Sequence, residues 1–187
     1  YFPEYKHSRR KSRGTDDKNW DIIFNCLNTI KEEIKSNMPY KSVEVYGAEA
    51  DDVIATLCSE SSNEVMILSG DKDFIQLQKF PNVKQYSPIT KKMINGMNPD
   101  DYLKEHVLKG DTSDGVPNVL SPDNTFVDGI RQRPLSKKKI ATMVEGDFPN
   151  DEIKRNYQRN KKLIDLTCSP DELRSEILDT YKSAPVN

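Results

Sequence analysis

The stretch Ala48–Asp73, AEADDVIATLCSESSNEVMILSGDKD, decides the fold of this chain. Its first half predicts a helix, because apolar residues recur at helical spacing after an acidic opening turn, at Ala50, Val53, Ile54 and Leu57. A Ser/Asn break follows, and then Val65–Leu68, a short apolar run typical of a buried parallel strand. The two elements in succession predict an α/β unit.

Acidic side chains flank both elements of this unit. Glu49, Asp51 and Asp52 open the helix, and Asp71 and Asp73 directly follow the strand. Ligands of open α/β folds bind at the carboxyl ends of the strands, so we expect these carboxylates to meet in one crevice, where cations must neutralise them. Oxygen donors in this number suit magnesium or manganese. Taken singly, each motif is more often a solvated helix end, because 30 of the 187 residues are Asp or Glu.

A third acidic pair, Asp111 and Asp114, follows Gly110 and precedes the turn-forming Gly-Val-Pro that ends at Pro117. Two interpretations stay open. The pair can belong to a polar loop in which the aspartates cap backbone groups. It can also be a second metal anchor, held between two helices.

The remaining pattern alternates helices and strands up to residue 110 and contains helices and loops beyond it. Apolar spacing predicts a core helix from about Asp16 to Asn37, capped by Asp16 or Asp17. Further predicted elements are strands at Ser42–Tyr46, Val83–Tyr86 and Lys92–Ile94, and helices at 74–80, 99–110, 136–146, 149–166 and 170–182. An α/β fold with a mostly parallel central sheet flanked by helices is expected.

Composition narrows the class of protein. Twenty-eight basic and 30 acidic residues give a formal net charge of −2, and no apolar run approaches the length that spans a membrane. We therefore expect no membrane contact. A monomer is also expected. Three widely spaced cysteines, Cys26, Cys58 and Cys168, indicate buried thiols in a reducing cytoplasm. Two histidines and no C-x-x-C argue against a structural zinc site.

Basic residues form three clusters, the third of which is a basic face on the predicted helix at 149–166, with Lys154, Arg155, Arg159, Lys161 and Lys162. Residues 1–14 contain Lys6, Arg9, Arg10, Lys11 and Arg13 beside three aromatic residues. This segment is equally well interpreted as a solvated end or as an arm that binds phosphates. Lys137, Lys138 and Lys139 occupy the first turn of the helix that Ser136 caps, where they oppose the helix dipole. A phosphate partner or a solvated face would explain them.

Together the three acidic motifs resemble those of the 5′ nucleases, the family of flap endonucleases and of the 5′-nuclease domain of bacterial DNA polymerase I. The matching segments are Glu49-Ala-Asp51-Asp52-Val-Ile-Ala, Ser69-Gly-Asp71-Lys-Asp73-Phe and Leu108-Lys-Gly-Asp111-Thr-Ser-Asp114. Tyr5-Lys6-x-x-Arg9 is similar to the basic element at the base of the family's arch. Within the family, Lys79–Pro88 and Arg133–Lys137 most resemble the T-even phage ribonuclease H branch.

The resemblance implies a 5′-nuclease or PIN-like domain at 1–110, with the basic arch at 1–15, and a helical duplex-binding subdomain at 111–187. It implies two Mg²⁺ ions, with Mn²⁺ as a substitute. Glu49, Asp51, Asp71 and Asp73 would hold the first ion, and Asp73, Asp111 and Asp114 the second. Asp52 would lie outside the direct coordination shell of the metal ions. Lys6 and Arg9 would contact the scissile phosphate. The nucleic acid would be contacted by Arg10, Arg13 and Lys137–Lys139.

Two departures from the family pattern accompany the resemblance. The family has further aspartates on its first strand and before its arch, and both would precede Tyr1. Because the chain starts at Tyr1 rather than Met, within a charged segment, an upstream portion is expected. The family's Gly-Ile-Gly hairpin, which binds a monovalent cation and duplex backbone, is replaced by Val116-Pro-Asn-Val-Leu-Ser-Pro-Asp.

The resemblance implies a metal-dependent 5′-to-3′ nuclease of phage replication that cleaves 5′ flaps and removes RNA primers. Its implied partners are a single-strand DNA-binding protein and a sliding clamp. Two alternatives stay open. One is a DNA-structure binder without catalysis. The other is a phosphohydrolase of the haloacid dehalogenase type, suggested by Gly110-Asp111-Thr-Ser-Asp114, although Asp71-Lys-Asp73 lacks the threonine that this chemistry needs.

Overall fold

The computed structural model describes residues 2–7, 9 and 17–186. Its α-helices are α1 (Trp20–Asn37), α2 (Ala50–Glu60), α3 (Pro99–Lys109), α4 (Lys137–Val144), α5 (Asp151–Ile164) and α6 (Asp171–Ser183). Its strands are β1 (Val65–Leu68), β2 (Val83–Ser87) and β3 (Lys92–Ile94), and two 3₁₀ helices span Lys72–Lys79 and Leu166–Cys168. Arg10 and Arg13, which the sequence assigned to nucleic-acid binding, and the predicted cap Asp16 lie outside the described residues.

The described strands form one small mixed sheet in the order β1-β2-β3. β1 and β2 are parallel, with Val65 opposite Val83, and β3 returns antiparallel to β2, with Gln85 opposite Ile94. The α/β class is confirmed. The predicted strand at Ser42–Tyr46 is wrong: this segment buries Val45, but it pairs with no strand in the described part of the chain.

The first core lies between α2 and the sheet. A reciprocal capping box fixes where α2 begins, because the Glu49 side chain accepts from the helix backbone while Asp52 accepts from the Glu49 amide at 2.9 Å. The helix thereby turns its apolar face onto β1 and the first 3₁₀ helix. The buried members of this core are Ala55, Cys58, Ile67, Phe74, Leu77 and Val83. This packing places the carboxylates of both motifs at one end of the unit.

Helix α1 differs from its prediction in two ways. It begins at Trp20, and Asn19 rather than an aspartate caps it by accepting from the Ile22 amide at 3.2 Å. Its expected role as a core helix is wrong for the described structure, because none of its residues is buried. Its exposed apolar side chains include Ile22, Phe24, Leu27, Ile30 and Ile34. Helical periodicity predicts the apolar stripe but not what covers it.

The chain beyond residue 110 packs on α3 through a second core. Leu108 of α3, Val119 of the following loop and Met143 of α4 are buried together there. Ser136 caps α4 as predicted, by accepting from the Lys139 amide. No helix among the described residues is both long and apolar enough to cross a membrane.

All three cysteines are free thiols. Cys58 is buried as expected, and burial raises the pKa of its thiol to about 11. Cys26 and Cys168 are exposed, so the prediction of three buried thiols is wrong for these two. The reason is local: Cys26 belongs to α1, which buries none of its residues.

Candidate active site

An acidic cleft of about 270 Å³ lies where α2, the first 3₁₀ helix, the loop after α3 and the end of α5 meet. Six of the seven predicted metal-binding carboxylates line it: Glu49, Asp51, Asp52, Asp73, Asp111 and Asp114. Asp71 is not among the lining residues and is exposed beside them. Segments far apart in the chain therefore contribute to one surface, as the sequence predicted.

Local hydrogen bonds orient several of these acids. Asp52 completes the capping box with one oxygen and accepts from the Ser169 hydroxyl at 2.7 Å with the other. Asp71 caps the first 3₁₀ helix by accepting from the Asp73 amide at 3.0 Å. Asp52 and Asp71 therefore cap backbone groups, a role that the alternative interpretation assigned only to Asp111 and Asp114. Capping and cleft lining coexist, because each carboxylate has lone pairs left over.

The buried side chain of Gln85 in β2 supports the second motif. Its amide nitrogen donates to the Ser69 carbonyl at 3.0 Å and to the Asp71 carbonyl at 2.6 Å. Its amide oxygen accepts from Gln78 at 3.0 Å. The sequence analysis missed this residue. A polar residue at an inward-facing strand position was the only signal available for it.

The loop Asp111–Val116 is closed on itself. One Asp111 oxygen accepts from the amides of Ser113 at 2.8 Å and Asp114 at 3.3 Å, while the Val116 amide donates to the Asp111 carbonyl at 2.7 Å. Gly110 precedes the loop with φ 70°, a conformation that favours glycine. Asp111 and Asp114 are consequently held by backbone geometry and not only by their side chains.

Three residues of the N-terminal segment contact these acids. The Lys6 ammonium lies 2.5 Å from Glu49 and 3.8 Å from Asp114. The Arg9 guanidinium lies 2.5 Å from Asp114 and donates to the Ser113 carbonyl at 3.1 Å. The Tyr5 hydroxyl donates to Asp114 at 3.1 Å. Predicted catalytic residues and predicted metal ligands are therefore in direct contact.

Crowding of negative charge changes the proton affinities of the site. Burial, followed by the charges of Asp71 and Asp111, raises the pKa of Asp73 to about 7. Burial, then the charges of Asp71 and Glu49, raises the pKa of Asp51. Burial also raises the pKa of Asp114, although Lys6 opposes this shift. The folded chain thus holds these carboxylates where ionisation is costly, which favours a bound cation.

His106 is a second residue that the sequence analysis did not assign to the site. Its Nδ1 lies 3.5 Å from an Asp73 carboxylate oxygen and 3.3 Å from the Tyr102 hydroxyl. Burial lowers the pKa of His106, so the imidazole is neutral at pH values where Asp73 is ionised. Burial, then the charge of Asp73, raises the pKa of Tyr102 to about 12. The helical spacing of 102 and 106 was the available signal.

The donor chemistry of the cleft fits hard divalent cations, since all predicted ligands are carboxylates. The acidic side chains lie further apart than the ligands of a closed metal site do. Among the residues that the structure describes, no three His, Cys, Asp or Glu side chains are gathered closely enough to hold one ion between them. Mutual repulsion between the acids and their ion pairs with Lys6 and Arg9 account for the separation.

A sequence comparison identifies the family. The profile described as "5′-3′ exonuclease, N-terminal resolvase-like domain" matches residues 1–107. The chain belongs to the 5′-3′ exonuclease family. The resemblance inferred from the three acidic motifs is confirmed, and the match argues against the haloacid dehalogenase alternative.

Two curated relatives in the family illustrate its range. Ribonuclease H of Enterobacteria phage T4 is 34% identical over 194 residues, which cover 96% of this chain and 63% of the relative. Flap endonuclease Xni of Shewanella sp. strain MR-4 is 29% identical over 129 residues, which cover 63% of this chain and 46% of the relative. The chain thus spans less than two thirds of the length of these relatives.

Solved structures of the family share the fold. The phage T5 D15 flap endonuclease, crystallised as a pseudo-enzyme-product complex with DNA and metal ions, superposes with a TM-score of 0.63 at 18% identity. The alignment covers 97% of this chain and 78% of that one. The comparison establishes a resolvase-like α/β fold.

The residues predicted to bind nucleic acid lie away from the acids where they are described. Lys137, Lys138 and Lys139 are exposed in the first turn of α4, and none of them lines the cleft. Lys162 at the end of α5, which the sequence analysis placed on a basic helix face, does line it. The structure therefore separates an acidic cleft, with Lys6 and Arg9 beside it, from a basic surface on α4.

Proposed function

We propose that this chain is the catalytic part of a divalent-metal-dependent 5′-to-3′ nuclease that cleaves 5′ flaps and removes RNA primers from duplex DNA. One observation carries the proposal. Carboxylates from three separate sequence motifs line the same cleft, and Lys6 and Arg9 contact them, in a chain of the 5′-3′ exonuclease family. The T4 relative named ribonuclease H and the T5 flap endonuclease bound to DNA support this substrate class.

In the proposed site, the acids are divided between two Mg²⁺ ions, for which Mn²⁺ can substitute. Glu49, Asp51, Asp71 and Asp73 would hold the first ion, and Asp73, Asp111 and Asp114 would hold the second. When bound, such ions would supply a water of lowered pKa and positive charge for the attacking and leaving oxygens. Asp52 orients the others through its bonds to the Glu49 amide and to Ser169.

Lys6 and Arg9 bind the scissile phosphate in this scheme. Both reach the acidic cleft in the structure, and both carry hydrogen-bond donors that match phosphate oxygens. Their positive charge lies beside the cleft before the substrate binds, where it can stabilise the negative charge that develops on the phosphate. The same pair attracts the substrate backbone to a cleft that would otherwise repel it.

We assign different functions to the two parts of the chain that contain the two hydrophobic cores. Residues 1–110 form the nuclease core, with a basic arch at 1–15. Residues 111–187 form a helical subdomain that holds duplex DNA through Lys137–Lys139, with Arg10 and Arg13 contacting the strand near the arch. Such contacts bind phosphates without reading sequence, so binding weakens steeply with salt.

The cellular role is proposed from the relatives. A nuclease that removes primers acts during replication, in phage-infected cells if the gene belongs to a phage, and works as a monomer in the cytoplasm. A single-strand DNA-binding protein that covers the exposed template and a sliding clamp that holds the duplex are the proposed partners.

Cleavage of a fluorescent 5′-flap duplex and of an RNA-primed duplex by the full-length protein tests the proposal. Activity is expected with Mg²⁺ or Mn²⁺ and none with EDTA. Asp71→Ala and Asp111→Ala should each lower the rate by about two orders of magnitude or more and leave duplex binding nearly unchanged. Asp101→Ala, which removes an exposed carboxylate from the first turn of α3, is the matched control and should retain full rate.

Undiminished turnover in both Asp71→Ala and Asp111→Ala would refute the assignment of these acids. A second candidate is duplex binding without hydrolysis, for which the exposed lysines of α4, away from the cleft, would suffice. The same assay separates the two. Tight binding of the flap duplex without cleavage, at Mn²⁺ concentrations that saturate the protein, supports the binding module.

A further inference from the structure

Arg159 is a buried cation outside the acidic cleft. Its side chain in α5 is 5% exposed, and it is not among the residues that line the cleft. Removing a guanidinium from water is unfavourable, and well-packed apolar residues often replace buried ion pairs without loss of stability. A buried arginine is therefore best explained by its planar guanidinium group, whose hydrogen bonds fix the relative positions of the groups that it contacts.

Three segments of the chain meet at this guanidinium. One nitrogen donates to the Pro117 carbonyl at 3.0 Å, and another forms an ion pair with Asp123. The group also lies over the Phe2 ring, 5.4 Å from its centroid, in a cation–π arrangement. Arg159 thus joins α5 to the loop after Asp114 and to the beginning of the N-terminal segment.

The first of these connections leads directly to the third acidic motif. Pro117 follows Val116, whose amide closes the loop onto the Asp111 carbonyl at 2.7 Å. Asn160 also donates to the Pro117 carbonyl, at 2.9 Å. The carbonyl that ends the metal-binding loop is consequently held by two adjacent side chains of α5.

The second connection leads to the predicted catalytic residues. Phe2 is buried, and its carbonyl accepts from the Tyr5 amide at 3.1 Å. The Tyr5 hydroxyl donates to the Asp114 carboxylate, and the Lys6 amide donates to the Asp114 carbonyl at 2.8 Å. A displacement of Phe2 would therefore move Tyr5 and Lys6 relative to Asp114.

We infer that Arg159 is a positioning residue, which fixes Asp111 and Asp114 through Pro117 and fixes Lys6 through Phe2, and so sets the distance between the metal ligands and the phosphate-binding cation. The inference deepens the proposed nuclease function and rests on it. A role confined to stability is the alternative, in which the polar contacts hold α5 in place without affecting the cleft.

Arg155 supplies a matched control. It forms an ion pair with the same Asp123 carboxylate and also donates to Asn156 at 2.6 Å, but its side chain is 59% exposed. Arg155→Met therefore removes one of the two arginines that bind Asp123 while the Arg159 contacts with Pro117 and Phe2 remain. Arg159→Met removes those contacts. Arg159→Lys retains the positive charge but lacks the planar guanidinium group.

The experiment measures Mn²⁺ binding by titration calorimetry and flap cleavage by steady-state and single-turnover kinetics, in full-length protein at a temperature where all variants are folded. For Arg159→Met we expect Mn²⁺ binding about 10-fold weaker and kcat lower by about 10- to 100-fold, with KM nearly unchanged, as for other residues that orient metal ligands. Arg159→Lys should recover part of both effects. Arg155→Met should stay within about twofold of wild type, as exposed ion pairs contribute little.

Two results would overturn the inference. One is an Arg159→Met protein that unfolds at lower temperature but, while folded, has the wild-type Mn²⁺ affinity and kcat. The other is an Arg155→Met protein that is impaired to the same extent. If Arg159→Met fails to fold, the comparison is made between Arg159→Lys and Arg155→Met, with the same two criteria.

The calorimetric readout separates this inference from the nuclease proposal. A wild-type protein that binds Mn²⁺ without cleaving DNA contradicts the proposed function. The role of Arg159 is then still decided by the Mn²⁺ affinity of its variants and by hydrogen exchange of the amides in Asp111–Val116, which should quicken in Arg159→Met and not in Arg155→Met. Unchanged affinity and unchanged exchange would reject it.

Discussion

The Lys6 ammonium lies 2.5 Å from a carboxylate oxygen of Glu49, so a residue near the start of the chain is paired with the first acid of the first motif. The same ammonium is 3.8 Å from Asp114, in the third motif. Lys6 also adopts φ 56°, an uncommon backbone conformation for a residue other than glycine. Lys6 thus pairs with a carboxylate that the proposed mechanism assigns to a metal ion.

Substitution of Lys6 should therefore separate metal binding from catalysis. Lys6→Met is expected to strengthen Mn²⁺ binding a few-fold, because a cation that competes for Glu49 is removed. It should lower the single-turnover rate by about 100-fold, because the charge that stabilises the phosphate is removed as well. Titration calorimetry measures the Mn²⁺ affinity, and rapid-quench kinetics measures the single-turnover rate. Lys31→Met, which breaks the exposed pair with Glu44, is the control and should change neither.

The raised pKa of Asp73 predicts how stability depends on pH in EDTA. Burial, then the charges of Asp71 and Asp111, raises this pKa to about 7 from the ordinary value of 3.8. The folded protein therefore binds the proton more tightly than the unfolded chain does. The resulting stabilisation is complete below pH 3.8 and is lost as the pH rises through 7.

The melting temperature in EDTA should fall between about pH 4 and about pH 7, and Asp73→Asn should flatten that fall because its side chain does not titrate. Differential scanning calorimetry across this range is the measurement. Saturating Mg²⁺ should raise the wild-type melting temperature most at the upper end, where the carboxylates are ionised. A variant with the same pH dependence as wild type would show that another group is responsible.

Gly110 should be among the least replaceable positions of the site. Its φ of 70° is combined with ψ −178°, a region essentially confined to glycine, and a Cβ there would meet the Val116 carbonyl oxygen at 2.4 Å. Gly110→Ala is expected to cost roughly 3 kcal/mol or more of unfolding free energy. Gly129 also has a positive φ, of 65°, but a Cβ there would meet no atom within 4 Å. Gly129→Ala should therefore cost only about 1 kcal/mol of unfolding free energy. Equal urea midpoints for the two variants would contradict the steric argument.

The lysines of α4 should determine how steeply DNA binding depends on salt. Replacement of Lys137–Lys139 by alanine is expected to reduce the slope of log K against log salt by about 0.9 for each phosphate that the variant no longer neutralises. The helix itself should persist, because Ser136 still caps it. Fluorescence anisotropy with a flap duplex at several salt concentrations measures the slope. A control triple variant at Lys84, Lys92 and Lys182 should leave the slope unchanged.

The sequence predicted local structure best where one residue type or one short pattern decides it. The helix from Pro99, the cap at Ser136 and the strand Lys92–Ile94 were all assigned correctly, since turn residues and caps act within a few positions. Ser42–Tyr46 was wrong because an extended, alternating segment becomes a strand only when a partner strand pairs with it, and the described residues provide none.

The sequence likewise predicted some features of the candidate site and missed others. The order and spacing of the acids identified the family and all six of the carboxylates that line the cleft. The contact of His106 with Asp73, the support of Asp71 by Gln85 and the contacts of Arg159 with Pro117 and Phe2 were not predicted. Each joins residues from separate parts of the chain, so no periodicity or motif could reveal it. The prediction that Arg159 belongs to a basic helix face is wrong, because the residue is buried.

By itself, then, the sequence determined the α/β class, the acidic character of the cleft and the family, because hydrophobic periodicity and acidic motifs are properties of neighbouring residues. Only the tertiary structure decided that Lys6 pairs with Glu49, that α1 leaves its apolar stripe exposed and that Arg159 joins three segments. Those relationships depend on how the packed elements meet in space. Packing is set by the whole core and not by any single stretch of the chain.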